Sequence, residues 1–558
     1  EDVPLVFATA RTSQQRLAAS TFVELASRSG VEARELTAVT LANKREMCPP
    51  GHLGCHPDHC PLLAAFYERD RREGALRAVL EQSLHAGPEQ IRTAAKAAGL
   101  CPYYLSLALC APADVIIGDC NYVYGPGSTL SHFEERGAVV VVDEAHQLFD
   151  RMRDHYSPFL SRPRLNALAA TEPPIEGFGR FVDELLTRLD AAPASLLGPH
   201  SSRLARRAQQ LALKYAVERR RSGPFAPDDP WLDLAGTIMH LRDLSLDGGE
   251  EFLPVHERDG EPGIGYLCLD PSRMLAARHR KSRGTIAMSA TLTSLDHARE
   301  TLGFGNLDPV QLALVSPFPA ENRCVLTVRS VGTRYRERAR SHARIAELLV
   351  GITAVRPGHY AVYFPSFRYL EGVRSHLPFL DGRVVVQQPG MTRAGQAAML
   401  ERLRVDTDPL LLLAVLGGRF AEGIDLAGEA LIGSIVVSPG LPQVCFERAA
   451  MREYFARRTG NGFAHAMLHP GMQRVVQAAG RVHRTPRDRG VIILLGRRFS
   501  QRPYRGLLPR HWYRESPDEL VVDDPIPRLR AFWGRLATEA RSPGGEPGSS
   551  ARPEQISL

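Results

Sequence analysis

Residues 138–150 read AVVVVDEAHQLFD, and this stretch limits the fold more than any other. Four consecutive valines leave no polar face. Such a run suits a strand of a parallel sheet covered on both sides, not a strand that alternates between core and water. It stops at two adjacent carboxylates, Asp143 and Glu144, followed by His146. In open α/β sheets, ligands gather beyond the carboxyl ends of the strands. A carboxylate there can hold Mg2+ through water, because Mg2+ prefers oxygen ligands and keeps much of its hydration shell. A neighbouring glutamate can orient and deprotonate the water that attacks a terminal phosphate. His146 can link this pair to other parts of the site.

The surrounding pattern is α/β. A strand (PLVFATA) and an amphipathic helix closed by Gly30 fill residues 1–40, and residues 41–113 break the rhythm with Cys, Pro and His. Residues 114–150 return to strand and turn. Residues 151–265 read as a helical insertion, and 266–318 as a strand and linker. Residues 319–540 form a second α/β unit with strands expected at 359–366, 383–388, 410–420, 431–438 and 490–496. The tail 541–558 is rich in Pro, Gly and Ser and is expected to be disordered. A chain of 558 residues exceeds one hydrophobic core, so several domains are required. No apolar run approaches the roughly 20 residues that span a bilayer, and no leader with an apolar core opens the chain. A cytoplasmic protein with no membrane partner is expected, monomeric by default. The net charge of +7 gives a mild preference for a polyanionic partner.

Further motifs carry the chemistry. MSATLTS (288–294) puts hydroxyl residues at another strand end. GGRFAEGIDL (417–426), with Gly423 and Asp425, has the glycines and acids of a loop near phosphate and nucleic acid. In QAAGRVHRTPRDRG (477–490), Gln477, Arg481 and Arg484 fall at helical spacing and are expected on one face, with two arginines able to neutralise charge on a γ-phosphate. Taken in order, FATARTSQQ, VVDEAH, SATLTS, YFPSFRYLE, GGRFAEGIDLAG and QAAGRVHRTPRDRG resemble six motifs of the XPD/DinG-type superfamily 2 iron–sulfur DNA helicases, over roughly residues 1–515. The resemblance implies two RecA-like parallel-sheet domains, the first carrying a cysteine-cluster insertion and a helical, arch-like one. It implies ATP hydrolysis coupled to movement, usually 5′ to 3′, on single-stranded or forked DNA in repair or replication. Asp143 would then position Mg2+, Glu144 would activate water, and Arg481 and Arg484 would stabilise the transition state. Gln477 and Gly423 would lie at the nucleotide, and Asp425 would couple its loop to DNA. Thr9, Arg11, Thr12, Lys44, Arg45 and Ser366 are candidate DNA contacts.

Nine cysteines and no export signal argue against a disulfide framework. Cys48, Cys55, Cys60 and Cys101 surround the first insertion, near His52, His56 and His59. Four thiolates can hold Zn2+ or an iron–sulfur cluster, and spacing alone does not choose. The resemblance does, because the family's cluster domain occupies this place and its last ligand stands in a Cys-Pro-aromatic context, as Cys101-Pro102-Tyr103 does here. It implies a 4Fe–4S cluster, with Cys110 and Cys120 as the nearest competitors for ligand positions.

One element is missing. The sequence contains no Gly-Lys dipeptide and therefore no G-x-x-x-x-G-K-[ST] phosphate loop. The family places that loop before the segment that here begins at Phe7, and residue 1 is not Met, so the loop is expected upstream of this chain. The alternative is a catalytically inactive DNA-binding scaffold with a redox-sensitive cluster. A further departure is LLGRRF (494–499), where relatives more often carry acids before the arginine.

Overall fold

The computed structural model describes residues 3–541 except 31–35, 50–56, 58–59, 82, 127–136, 192–200, 223–228, 293, 379–381, 419 and 421–427. The chain divides into two compact units, Glu1–Val310 and Gln311–Leu558. Each is built on a parallel sheet.

The first unit's sheet comprises β1 (Leu5–Thr9), β2 (Ala38–Thr40), β3 (His85–Ala86), β4 (Val115–Asp119), β5 (Val139–Val142) and β9 (Gly284–Ala287), in the order β3-β2-β4-β1-β5-β9. All pairs run parallel, and β1 sits centrally with Val6 opposite both Ile116 and Val140. The valine strand is less enclosed than its composition predicts. Val140 and Val142 are buried, whereas Val139 and Val141 are half-buried. Alternate residues of β5 therefore face a complete and an incomplete cover.

Between β5 and β9 lie helices Arg162–Ala169, Phe178–Ala191, Ser201–Ser222 and Pro230–Asp247, joined around Phe178, Phe181, Leu185 and Trp231. The same stretch also holds a three-stranded antiparallel sheet, β6 (Phe159–Ser161), β7 (Phe252–Arg258) and β8 (Glu261–Cys268), in the order β6-β8-β7. The helical reading of this region missed it. Its hairpin turns on Asp259-Gly260, both at positive φ, with Arg258 paired to Glu261. That is the Asp-Gly signal of a two-residue turn.

The second unit's sheet contains β10 (Arg323–Val328), β11 (Tyr360–Phe364), β12 (Val384–Val386), β13 (Leu411–Val415), β14 (Gly433–Val437), β15 (Gly490–Leu495) and β16 (Val521–Val522), in the order β12-β13-β11-β14-β15-β10-β16. Here the central strands β11, β14 and β15 are buried throughout. Ala361 and Tyr363 of β11 enter one core with Met472 and Val475 of the helix His469–Ala479. Tyr360, Val362 and Phe364 enter another with Ile345 and Leu349 of the helix Arg338–Val355 and Phe532 of Ile526–Arg541. Each fully buried aliphatic or aromatic side chain contributes roughly 1.5–3 kcal/mol, which is why these strands read as unbroken apolar runs.

Candidate nucleotide and nucleic-acid site

The β5 carboxylates stand where their sequence position predicts. The Asp143 N–H still donates to Ala8 O at 3.0 Å, so the strand ends against β1. The next residue, Glu144, takes a left-handed conformation at φ 49° and ψ 43°, an uncommon and costly state for a residue with a Cβ. Three contacts hold it there. Asp143 Oδ1 accepts the Glu144 N–H at 2.8 Å, and Ser289 Oγ donates to Glu144 Oε2 at 3.2 Å. His146 Nδ1 lies 3.1 Å from the same carboxylate oxygen. The His146 ring, only 5% exposed, is placed in turn by Ser289 Oγ at 2.7 Å and Thr291 Oγ1 at 3.3 Å. Backbone bonds from Met288 N to Val142 O and from Ala145 N to Met288 O, each 3.0 Å, fix the two strand ends together. His146 thus joins the β5 end to the hydroxyl segment after β9. Burial raises the Asp143 pKa above its usual range and the Glu144 charge adds to this, against the Glu144 N–H bond and His146. A divalent cation would reverse that penalty.

The β1 end is anchored by its own backbone and by Arg151, which donates to Ala10 O at 2.9 Å and pairs with Asp119 at 2.5 Å. Thr9 is fully buried and its hydroxyl donates to Gly118 O at 3.3 Å. It is therefore an internal anchor and not a surface that a DNA strand can touch. Arg11 is half-buried before the helix Thr12–Arg28, and Thr12 is exposed. Lys44 and Arg45 are exposed on the short helix Lys44–Met47.

Three of the four candidate cluster cysteines occupy helix boundaries. Cys48 closes Lys44–Met47, Cys60 precedes Pro61–Phe66, and Cys101 precedes Pro102–Cys110. The first two helices pack on the third, and Cys101 N donates to Leu62 O at 2.9 Å. Cys55, like His52, His56 and His59, lies outside the described residues. Among those described, no three His, Cys, Asp or Glu side chains gather closely enough to hold a metal ion. Cys110 and Cys120 differ in kind: burial pushes both thiols up to about 12, which keeps them neutral and suits packing rather than ligation.

In the second unit, Gln477 is half-buried in the helix His469–Ala479. The helix ends there, with Gly480 as its cap, so Arg481 and Arg484 do not share a helical face with Gln477. They belong to a turn built by Asp488, which sequence reasoning overlooked. Its carboxylate accepts the N–H groups of Arg484 at 2.7 Å, Thr485 at 2.8 Å and Gly428 at 3.2 Å, and the Thr485 hydroxyl at 2.6 Å. Both arginines lie within electrostatic reach of one buried ring, that of Tyr363. Burial raises the pKa of the Tyr363 phenol, and the charges of Arg481 and Arg484 both oppose that rise. Gly423 and Asp425 lie outside the described residues. Ser366 caps the helix Phe367–Arg374 by accepting the Tyr369 N–H at 3.3 Å.

Comparison with known proteins fixes the family. A DEAD_2 profile matches residues 10–165 and a helicase C-terminal domain profile matches residues 349–515, together more than half of the chain. The chain belongs to the XPD-type helicases. A probable ATP-dependent helicase of Methanocaldococcus jannaschii is 29% identical over 271 residues, 45% of this chain and 40% of that protein. The XPD/RAD3 subunit of the general transcription and DNA repair factor IIH of Saccharomyces cerevisiae is 26% identical over 302 residues, 50% of this chain and 38% of that one. The chain thus spans about two fifths of the length of these curated relatives. A solved XPD helicase shares the fold with a TM-score of 0.56 at 17% identity, covering 90% of each chain.

In this XPD-type chain, one sheet edge stays open beside the acidic pair. Among the described residues β9 pairs only with β5. Ile286 on that edge is 56% exposed, an unusual state for an apolar residue of a parallel sheet.

Proposed function

We propose that the protein is an ATP-dependent DNA helicase in which ATP hydrolysis drives 5′ to 3′ movement on single-stranded DNA during repair or replication. The carrying observation is the network of Glu144, His146 and Ser289 at the end of β5. It supports a water-activating carboxylate held at one place by a neighbouring strand. Asp143 and Glu144 would receive Mg2+ and the attacking water, and bound Mg2+ would supply Lewis-acid polarisation of the phosphate. Arg481 and Arg484 supply the positive charge that a transferring phosphoryl group requires. The open β9 edge supports a phosphate-gripping strand added alongside, since the 558 residues contain no such loop.

Cys48, Cys60 and Cys101, with Cys55, would hold a 4Fe–4S cluster that ties three chain segments together. Their placement at the boundaries of mutually packed helices fits such a staple, whereas burial pushes the Cys110 and Cys120 thiols up to about 12 and opposes the thiolate that a ligand needs. Anaerobically purified protein is expected to be brown, and Cys101→Ser to lose iron and colour while Cys110→Ala keeps both. A colourless protein with stoichiometric zinc refutes the cluster.

The test of the enzyme is Glu144→Gln in the full gene product. DNA-stimulated ATP hydrolysis is expected to fall at least about 100-fold, the usual contribution of a general base, with DNA binding retained. Unchanged hydrolysis defeats the proposal, and absence of hydrolysis in the parent protein favours the scaffold.

A further inference from the structure

The carboxyl edge of the second unit's sheet holds two arginines that none of the helicase motifs uses. Arg338 opens the helix Arg338–Val355, and Arg498 lies just after β15. Among the described residues, neither forms an ion pair with an acid. Arg498 donates to Ser438 Oγ at 2.8 Å and to Thr333 O at 3.4 Å, and lies over the Tyr504 ring at 5.7 Å. Arg338 lies over the rings of Tyr369 at 5.0 Å and Tyr335 at 5.7 Å. The Nε atoms of both arginines and Thr333 Oγ1 are buried with no hydrogen-bond partner among the described residues. Burial and then the charge of Arg498 push the Arg338 pKa down, and only two tyrosines oppose them. The adjacent acid, Glu337, turns its carboxylate to the Arg334 N–H at 3.2 Å.

The backbone around the two arginines is tightly constrained. Gly496 has φ 151°, and a Cβ there would meet Thr333 Oγ1 at 2.9 Å, so this position admits no side chain and hence no acid. Ser438, fully buried, is held at φ 74°. Strain of this kind persists only where the surrounding structure enforces it, and it concentrates at functional sites. Two guanidiniums that repel each other and retain unused donors ask for an oxyanion, and their planar forks match a phosphate.

We propose that Arg338 and Arg498 form a binding site for one backbone phosphodiester of a nucleic-acid strand crossing the carboxyl edge of this sheet. The proposal rests on the nucleic-acid reading above. A strand is favoured over a free phosphate because the Tyr335 ring, 74% exposed, stands beside Arg338 and offers a face on which a base can stack.

The experiment measures binding of a labelled oligothymidylate of about 20 nucleotides across a salt series. Arg338→Gln and Arg498→Gln are each expected to weaken binding about tenfold and to reduce the slope of log K against log salt by about 0.7, the value of one lost phosphate contact on a single strand. Arg336→Gln removes the same charge from an exposed neighbour and keeps the slope. Arg338→Lys keeps the slope while binding more weakly, which separates loss of a contact from misfolding should Arg498→Gln melt early. Equal effects in all variants, or none at Arg338, overturn the site. If the parent chain binds no oligonucleotide, the nucleic-acid reading fails by itself, and inorganic phosphate then decides the anion site. Thermal stabilisation by phosphate that Arg338→Gln abolishes retains the pair as a free-phosphate site. No stabilisation overturns it entirely.

Discussion

The acidic group after β5 and the basic turn before β15 solve one problem, holding charge at a fixed point, by opposite means. In the first unit, side chains hold side chains: Ser289 and His146 hold the carboxylate of a residue whose backbone is itself strained, and Thr291 holds His146. In the second, one buried carboxylate holds backbone: Asp488 takes the N–H groups of Arg484, Thr485 and Gly428. The difference follows from chemistry. A carboxylate that must orient water needs its oxygens aimed, and hydroxyls and imidazole aim them. For an arginine proposed to meet a transferring phosphoryl group, the anchored part is the backbone at its root.

The contrast can be broken at its strongest point. Asp488→Ala removes four hydrogen bonds made by a buried ion, and a loss of about 3 kcal/mol in unfolding free energy is expected, read by denaturant melts of the second unit's transition. A near-neutral result would show that the turn is held by Pro486 and Gly480 instead. The Asp488 pKa is lowered, its hydrogen bonds outweighing burial. The stability it gives is therefore present above the unfolded carboxylate pKa and is lost as pH falls through the lower folded value. Asp488→Asn should flatten that acid limb. The first unit yields less. Ser289→Ala removes the hydroxyl that donates to Glu144 Oε2, and ATP hydrolysis in the full gene product should drop about tenfold, close to the 1.4 kcal/mol of one well-placed hydrogen bond. Folding should be nearly unaffected. A fall as deep as that of Glu144→Gln would mean that Ser289 takes part in the chemistry.

The sequence exposed the parts of this molecule that depend on neighbours in the chain. The five strands expected in the second unit appear as β11 to β15, because enclosure on both faces writes itself as an apolar run. Asp143 and Glu144 were legible as the abrupt end of an apolar run, although β5 itself is covered fully on only one face. What stayed hidden depends on distance or on where a period stops. Helical spacing linked Gln477 to Arg484, but Gly480 ends the helix between them. Asp488 reaches Gly428, 60 positions away, and the Arg498 charge is felt at Arg338 across a longer gap still. No local pattern records such pairings. The Asp259-Gly260 hairpin was readable and was masked by the helices around it.

The smallest predicted effect probes the cost of the acidic pair. Burial and the Glu144 charge hold the Asp143 pKa above its ordinary value, so ionising Asp143 opposes folding. Its folded pKa exceeds its unfolded one, so the protein is least burdened at a pH below the unfolded value, and the burden grows as pH rises through the folded value. Asp143→Asn removes the charge and leaves the shape. It should raise the melting temperature by about half a degree at neutral pH, roughly the effect of a few tenths of a kcal/mol in a unit of this size, with the gain vanishing in acid. Asp488→Asn should do the reverse at neutral pH, so one pH series on the two variants separates a carboxylate kept for chemistry from one kept for structure. If Asp143→Asn instead destabilises, the Asp143 Oδ1 bond to the Glu144 N–H outweighs the burial of its charge, and the strained Glu144 backbone is what that aspartate is there to hold.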